Sequence, residues 1–164
     1  MTRTTAPSRV PLIALALAAL LVPALARAEA AVTKTEVTVP FNVTRINGCT
    51  GERVALTGEL HVTTITTIDA TGATHIDVHL VPDHVRGLGL TSGDAYLVTG
   101  GQRSHLNTDA AAAPSTFTST TMFNLHSTGG GANNVTFVLR HTTVNANGDT
   151  TVEIVDIDIR CPGS

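Results

Sequence analysis

The sequence predicts an all-β protein: an antiparallel barrel or flattened barrel of seven or eight strands, with a two-sheet sandwich as the alternative. Three observations carry this. Apolar and polar residues alternate with a period of two along most of the chain, as a sheet with one buried face requires. Thr is the commonest residue and Val and Ile are frequent, and β-branched side chains suit a pleated, half-buried surface. Clusters of Gly, Asn and Asp punctuate the alternating runs.

The first strand runs through Val37, Val39, Phe41 and Val43, with Thr38, Asn42 and Thr44 on the other face. In the second, Val54, Leu56, Leu60, Val62 and Ile68 face one way and Thr57, Glu59, His61, Thr63 and Thr67 the other. The third, over 74–85, turns Ile76, Val78 and Leu80 inward and His75, Asp77 and His79 outward. Further strands are expected over 94–105, 115–127, 135–144 and 150–161. Ala110 to Ala113, closed by Pro114, is too short to nucleate a helix.

Two turns set registers. Asp69-Ala70-Thr71-Gly72 and Asn145-Ala146-Asn147-Gly148 both read as a type I turn followed by Gly in a left-handed bulge position. That geometry pairs Val62 with Leu80 and Thr64 with Val78. In the second hairpin it pairs Phe137 with Ile157 and Leu139 with Val155. A slip of one residue would turn each core face to solvent. The segments TTIDATGAT (66–74) and TTVNANGDT (142–150) echo each other; a duplicated half-domain and convergent turn chemistry would both produce this.

Residues 1–28 read as a Sec-type signal peptide ahead of a single domain over 29–164. Arg3 and Arg9 precede an apolar stretch from Val10 to Leu25, and Ala26-Arg27-Ala28 supplies the small-x-small cleavage pattern. The stretch, interrupted by Pro11 and Pro23, falls short of the roughly 20 residues a membrane span needs. The expected mature protein is therefore secreted or periplasmic and has no membrane anchor. Removing the segment takes three of the ten basic residues and none of the thirteen acidic ones, leaving a net charge of −6. An acidic surface without a basic stripe repels phosphate backbones, which excludes nucleic acid as a partner.

Cys49 and Cys161 are the two cysteines. In an oxidising compartment, an even pair so far apart reads as a disulfide tying the first strand to the last. The chain-entropy model assigns such a loop of about 110 residues about 4 to 5 kcal/mol. The Cys-x-x-Cys spacing of a redox pair is absent.

The seven histidines raise a metal site. Along one strand, His75 and His79 stand about 13 Å apart, too far to share an ion. His61 is a diagonal neighbour of His79, at roughly 7 to 8 Å, so His61, Asp77 and His79 form the one local trio suited to zinc or copper. The plainer reading is solvated histidines on a polar face. His141 and Glu153 fall opposite each other in the expected register, as a general acid and base or a structural ion pair. No G-x-S-x-G elbow or G-x-x-x-x-G-K-[ST] loop occurs. Gly87-Leu88-Gly89-Leu90 and Gly129-Gly130-Gly131 connect strands, so a dinucleotide site is not expected. Arg86, Arg103, Arg140 and Arg160 are scattered. With Tyr96 and four Phe as the whole aromatic complement, stacking platforms for sugars are scarce. The ladder Thr116-x-Thr118-x-Thr120 suggests an adhesive surface, and Asn42-Val43-Thr44 and Asn134-Val135-Thr136 match glycosylation sequons.

The run from Gly48 through Cys49, Gly51, Glu52, Val54, Leu56, Thr57, Gly58 and His61, then Asp69 to His75 and Gly87-x-Gly89-x-x-Ser92-Gly93-x-x-Tyr96, resembles a group of uncharacterised secreted bacterial proteins. Their shared core reads approximately N-P-C-x-G-E-x-V-x-L-T-G-x-x-H. The resemblance covers roughly residues 45 to 160; this chain has Gly48 where the group often has Pro. It implies export and a bacterial source, assigns no activity, and makes Glu52 and His61 the first positions to probe.

Strong β architecture without catalytic signatures leads to an exported non-enzymatic binding module for a small hydrophobic ligand or a surface partner, needing no cofactor. The alternatives are an extracytoplasmic metal-binding protein or metal-dependent enzyme using His61, Asp77 and His79, and a Thr-rich structural or adhesive surface protein.

Overall fold

The computed structural model describes residues 29–108 and 115–163. The expected signal peptide and the Ala-rich stretch therefore lie outside the described residues. Seven strands follow in order: β1 (Ala31–Ile46), β2 (Arg53–Ile68), β3 (Thr74–Gly89), β4 (Ala95–Thr108), β5 (Ser115–Ser127), β6 (Asn134–Val144) and β7 (Thr150–Arg160). Each pairs antiparallel with the next in a single meander sheet. No described residue is helical. The all-β, seven-strand expectation holds, but no ladder joins β1 to β7 and the sheet stays open.

A single sheet can bury apolar surface only by curling over itself. Val54, Leu56 and Leu60 of β2, Val85 of β3, Tyr96 and Val98 of β4 and Leu125 of β5 form one buried cluster, with Phe41 and Val43 of β1 packed against it. Irregular pairings supply the bend, since bulges sharpen local twist. The β2–β3 register shifts between Thr57 and Glu59, where His84 takes a left-handed φ of 52°. The facing Gly58 cannot carry a side chain, because a Cβ there would lie 2.6 Å from the Val85 Cα. The β3–β4 ladder is interrupted between Leu80 and Arg86. Within that break, on β4, Gly100 has φ 106°, and a Cβ would run into the Met122 carbonyl oxygen.

One end of the curl is stapled. Cys49 and Cys161 form the expected disulfide, with Cα atoms 5.6 Å apart, and so join the ends of the two edge strands. Gly48 fits between Ile159 and Asn134: a Cβ would sit 2.9 Å from Ile159 Cγ2. Asn47, fully buried, donates its Nδ2 to the Ala132 carbonyl (3.1 Å) and accepts from the Cys49 amide at Oδ1 (2.9 Å).

The hairpin turns lie at the other end. In each, the Gly amide donates to the carbonyl of the first turn residue: Gly72 to Asp69 and Gly148 to Asn145, both at 3.0 Å. Both glycines have positive φ, 85° and 88°, as the bulge position requires. The first hairpin keeps the expected register, with Val62 opposite Leu80 and Thr64 opposite Val78. The second does not. It starts in register at Val144 and Thr150, then Thr151 bulges out and Thr143 pairs with Val152. Phe137 consequently faces Asp158 and Leu139 faces Asp156. The side chains that share the concave face with the core are those of Val138 and Ile157, while Phe137 and Leu139 stand on the convex face.

Candidate functional site

The concave face holds a cavity of about 500 Å³. Phe41, Arg45 and Ile46 of β1, Leu56 and Leu60 of β2, and Leu80 of β3 form one wall. Val98 and Gln102 of β4, Thr121, Phe123 and Leu125 of β5, and Asn134, Thr136 and Val138 of β6 form the other. Small-molecule sites typically enclose roughly 300 to 1,000 Å³, mostly apolar with a few placed polar groups. This cavity has that character, with Gln102, Thr121, Asn134 and Thr136 on β4–β6 and Arg45 on β1 as its polar side chains. Gln102 Nε2 donates to Ser104 Oγ (2.9 Å), which donates to Ser119 Oγ (3.0 Å). The floor depends on Gly87, where a Cβ would come within 2.8 Å of Val54 Cγ1 and 2.9 Å of Leu56 Cδ2.

Glu52 closes the stapled end. Its Oε1 accepts the backbone amides of Ser92 (2.6 Å) and Thr91 (2.9 Å), and Oε2 accepts the Ser92 hydroxyl (3.0 Å). These bonds favour the ionised form, the Ser92 amide most strongly, and hold the carboxyl below its ordinary pKa of 4.5. The carboxylate thus latches the β1–β2 loop to the β3–β4 loop. Beneath the latch, Tyr96 is buried. Burial raises its hydroxyl pKa above 10.0, with the charges of Glu52 and Asp94 adding to the rise and Asn47 opposing it. Gly48, Cys49, Glu52, Ser92 and Tyr96 therefore meet at one end of the sheet, where contacts of Glu52 and the disulfide hold loops together.

His61, Asp77 and His79 share the convex face. His61 pairs with Val81 and His79 with Thr63, the diagonal relation expected from the turn. Asp77 instead forms an ion pair with Nδ1 of His105 on β4. Among the described residues, no group of three His, Cys, Asp or Glu side chains converges as a metal site. The expected opposition of His141 and Glu153 is corrected by the bulge. His141 faces Ile154 on the convex side and Glu153 faces Thr142 on the concave side. His141 Nδ1 lies 2.8 Å from Thr118 Oγ1, and Glu153 accepts from Arg140 at 3.3 Å. Thr116 and Thr118 are likewise engaged, by Asn107 and His141. Of the two sequons, Asn134 is buried, with Nδ2 against Cys49 Sγ at 3.5 Å.

Sequence reasoning did not find the cavity. Its polar lining is Gln102, Thr121, Asn134 and Thr136, residue types that read as solvent-facing, together with Arg45, which no sequence signal singles out. Comparison with known protein families, curated proteins and solved structures gives no match.

Proposed function

We propose that the protein is an exported, non-enzymatic binding module whose curled sheet takes a small hydrophobic ligand. The observation that supports this most is the cavity between β1 and β6, lined by nine apolar and five polar side chains. Its volume suits one small molecule. The disulfide supports export, because such bonds persist in oxidising compartments. The strands provide the wall, the Glu52 latch and the disulfide hold one end shut, and the gap between β1 and β7 admits the ligand.

Native mass spectrometry of protein purified from its host tests the reading. The expected spectrum shows an oxidised chain starting near residue 29 with a lipophilic adduct, and lipophilic probes raise the melting temperature. If no adduct is present and such probes neither bind nor stabilise, the reading is wrong. Elemental analysis of the same sample checks zinc or copper at His61, Asp77 and His79, where this reading expects neither in stoichiometric amount.

A further inference from the structure

We infer that the ligand is an amphipathic anion, an alkyl chain ending in a carboxylate, whose charged end is held by Arg45; this rests on the binding role proposed for the cavity. Arg45 lies opposite Val54 in the β1–β2 ladder, so it projects from the same face as the buried core. It lines the cavity at the exposed edge of β1. The concave face also carries Arg140 and Glu153, but these pair with each other. Among the described residues, no carboxylate lies within ion-pairing distance of Arg45, and it donates no side-chain hydrogen bond.

An arginine fork is matched to a carboxylate and delocalises its charge over a plane that tolerates apolar surroundings. At this mouth it stands next to Ile46, with Phe41 and Leu56 farther in. A carboxylate there would remain in contact with water while its chain lay along Leu60, Leu80 and Val138. A cationic ligand would meet Arg45, the only unpaired charge of the concave face among the described residues, with the wrong sign. A neutral one would leave that charge unused.

Calorimetric titration of the full mature protein at pH 7 with octanoate and with 1-octanol separates head-group recognition from burial of the tail. Octanoate is expected to bind about fivefold more tightly, the ratio that about 1 kcal/mol from a solvent-facing ion pair supports. In Arg45→Gln the two affinities should become equal through loss of octanoate binding, and in Arg45→Lys most of the preference should survive. Arg45 is exposed, so neither variant disturbs the core, and circular dichroism checks this. Equal binding of both probes by the native protein, or an octanoate preference that persists in Arg45→Gln, overturns the assignment and leaves the cavity reading standing. Failure of both probes to bind overturns both.

Discussion

The two ends of the sheet are built differently. At the stapled end, Asn47, Val54, Val85 and Tyr96 are all at most 2% exposed, and three loops bond to one another through Asn47 and Glu52. At the turn end, Ala73 is the one buried apolar residue of either hairpin loop, and each turn bonds mainly within itself. The edge strands are exposed beyond either end: Val37 on β1 and Ile157 on β7 are more than half exposed although they point to the concave side. A single open sheet thus secures one end with covalent and polar ties and leaves the other held by local turn chemistry.

The largest effect should come from cutting the staple. Replacing Cys49 and Cys161 by Ser opens a loop spanning 112 residues, and the chain-entropy model sets the loss at about 4 to 5 kcal/mol. Chemical denaturation measures it; a loss below about 1 kcal/mol would mean that the two ends do not differ as described. Next, Leu56→Ala should cost about 2 to 3 kcal/mol. That is the low part of the range for buried leucines, because this side chain already borders a cavity.

Glu52→Gln should lower the melting temperature at neutral pH and flatten its dependence on acid. The folded carboxyl titrates below 4.5, so its stabilising contribution is complete above about pH 5 and fades as pH falls through the folded value. Melting curves from pH 7 to 3 should therefore converge for the native protein and the variant at the acid end. Curves that stay parallel would show that the latch does not depend on the charge.

The smallest effect separates the twin turns. Asp69 is held down to about 2 from its ordinary 3.8, first by the Thr71 hydroxyl and then by the Thr71 amide. Asn145 accepts the equivalent Asn147 and Asp149 amides without carrying a charge. Acid should thus loosen the first turn as pH falls from about 4 toward 2, because a depressed carboxyl loses its contribution through that window. The Asn147 amide, read by NMR, should not follow the Thr71 amide, and Asp69→Asn should abolish the difference.

The turn chemistry explains how much of the fold was legible. Asp69 to Gly72 fixed the β2–β3 register through Val62 and Leu80, because local geometry and apolar alternation agree there. The same turn at 145–148 misled. Thr151 bulges one residue beyond it, and no local signal distinguishes Thr151 from its threonine neighbours. The odd positions of β6, Phe137 and Leu139, are the more apolar set, so alternation placed them inside, whereas curvature puts Val138 there. The Cys49–Cys161 bond was readable from compartment and parity. The cavity was not, since it arises where the bulge at His84 and the broken β3–β4 ladder bend the sheet. Glu52 was marked by resemblance, but its partners Thr91 and Ser92 lie about 40 positions away.

The concave cavity as a ligand site is tested most directly by methyl NMR of protein labelled at Leu, Val and Ile, titrated with 1-octanol. The account predicts shifts at Leu60, Leu80, Leu125 and Val138, with Ile65, Leu139 and Ile154 on the convex face unmoved. Shifts confined to the convex methyls, or none at saturating octanol, would contradict it.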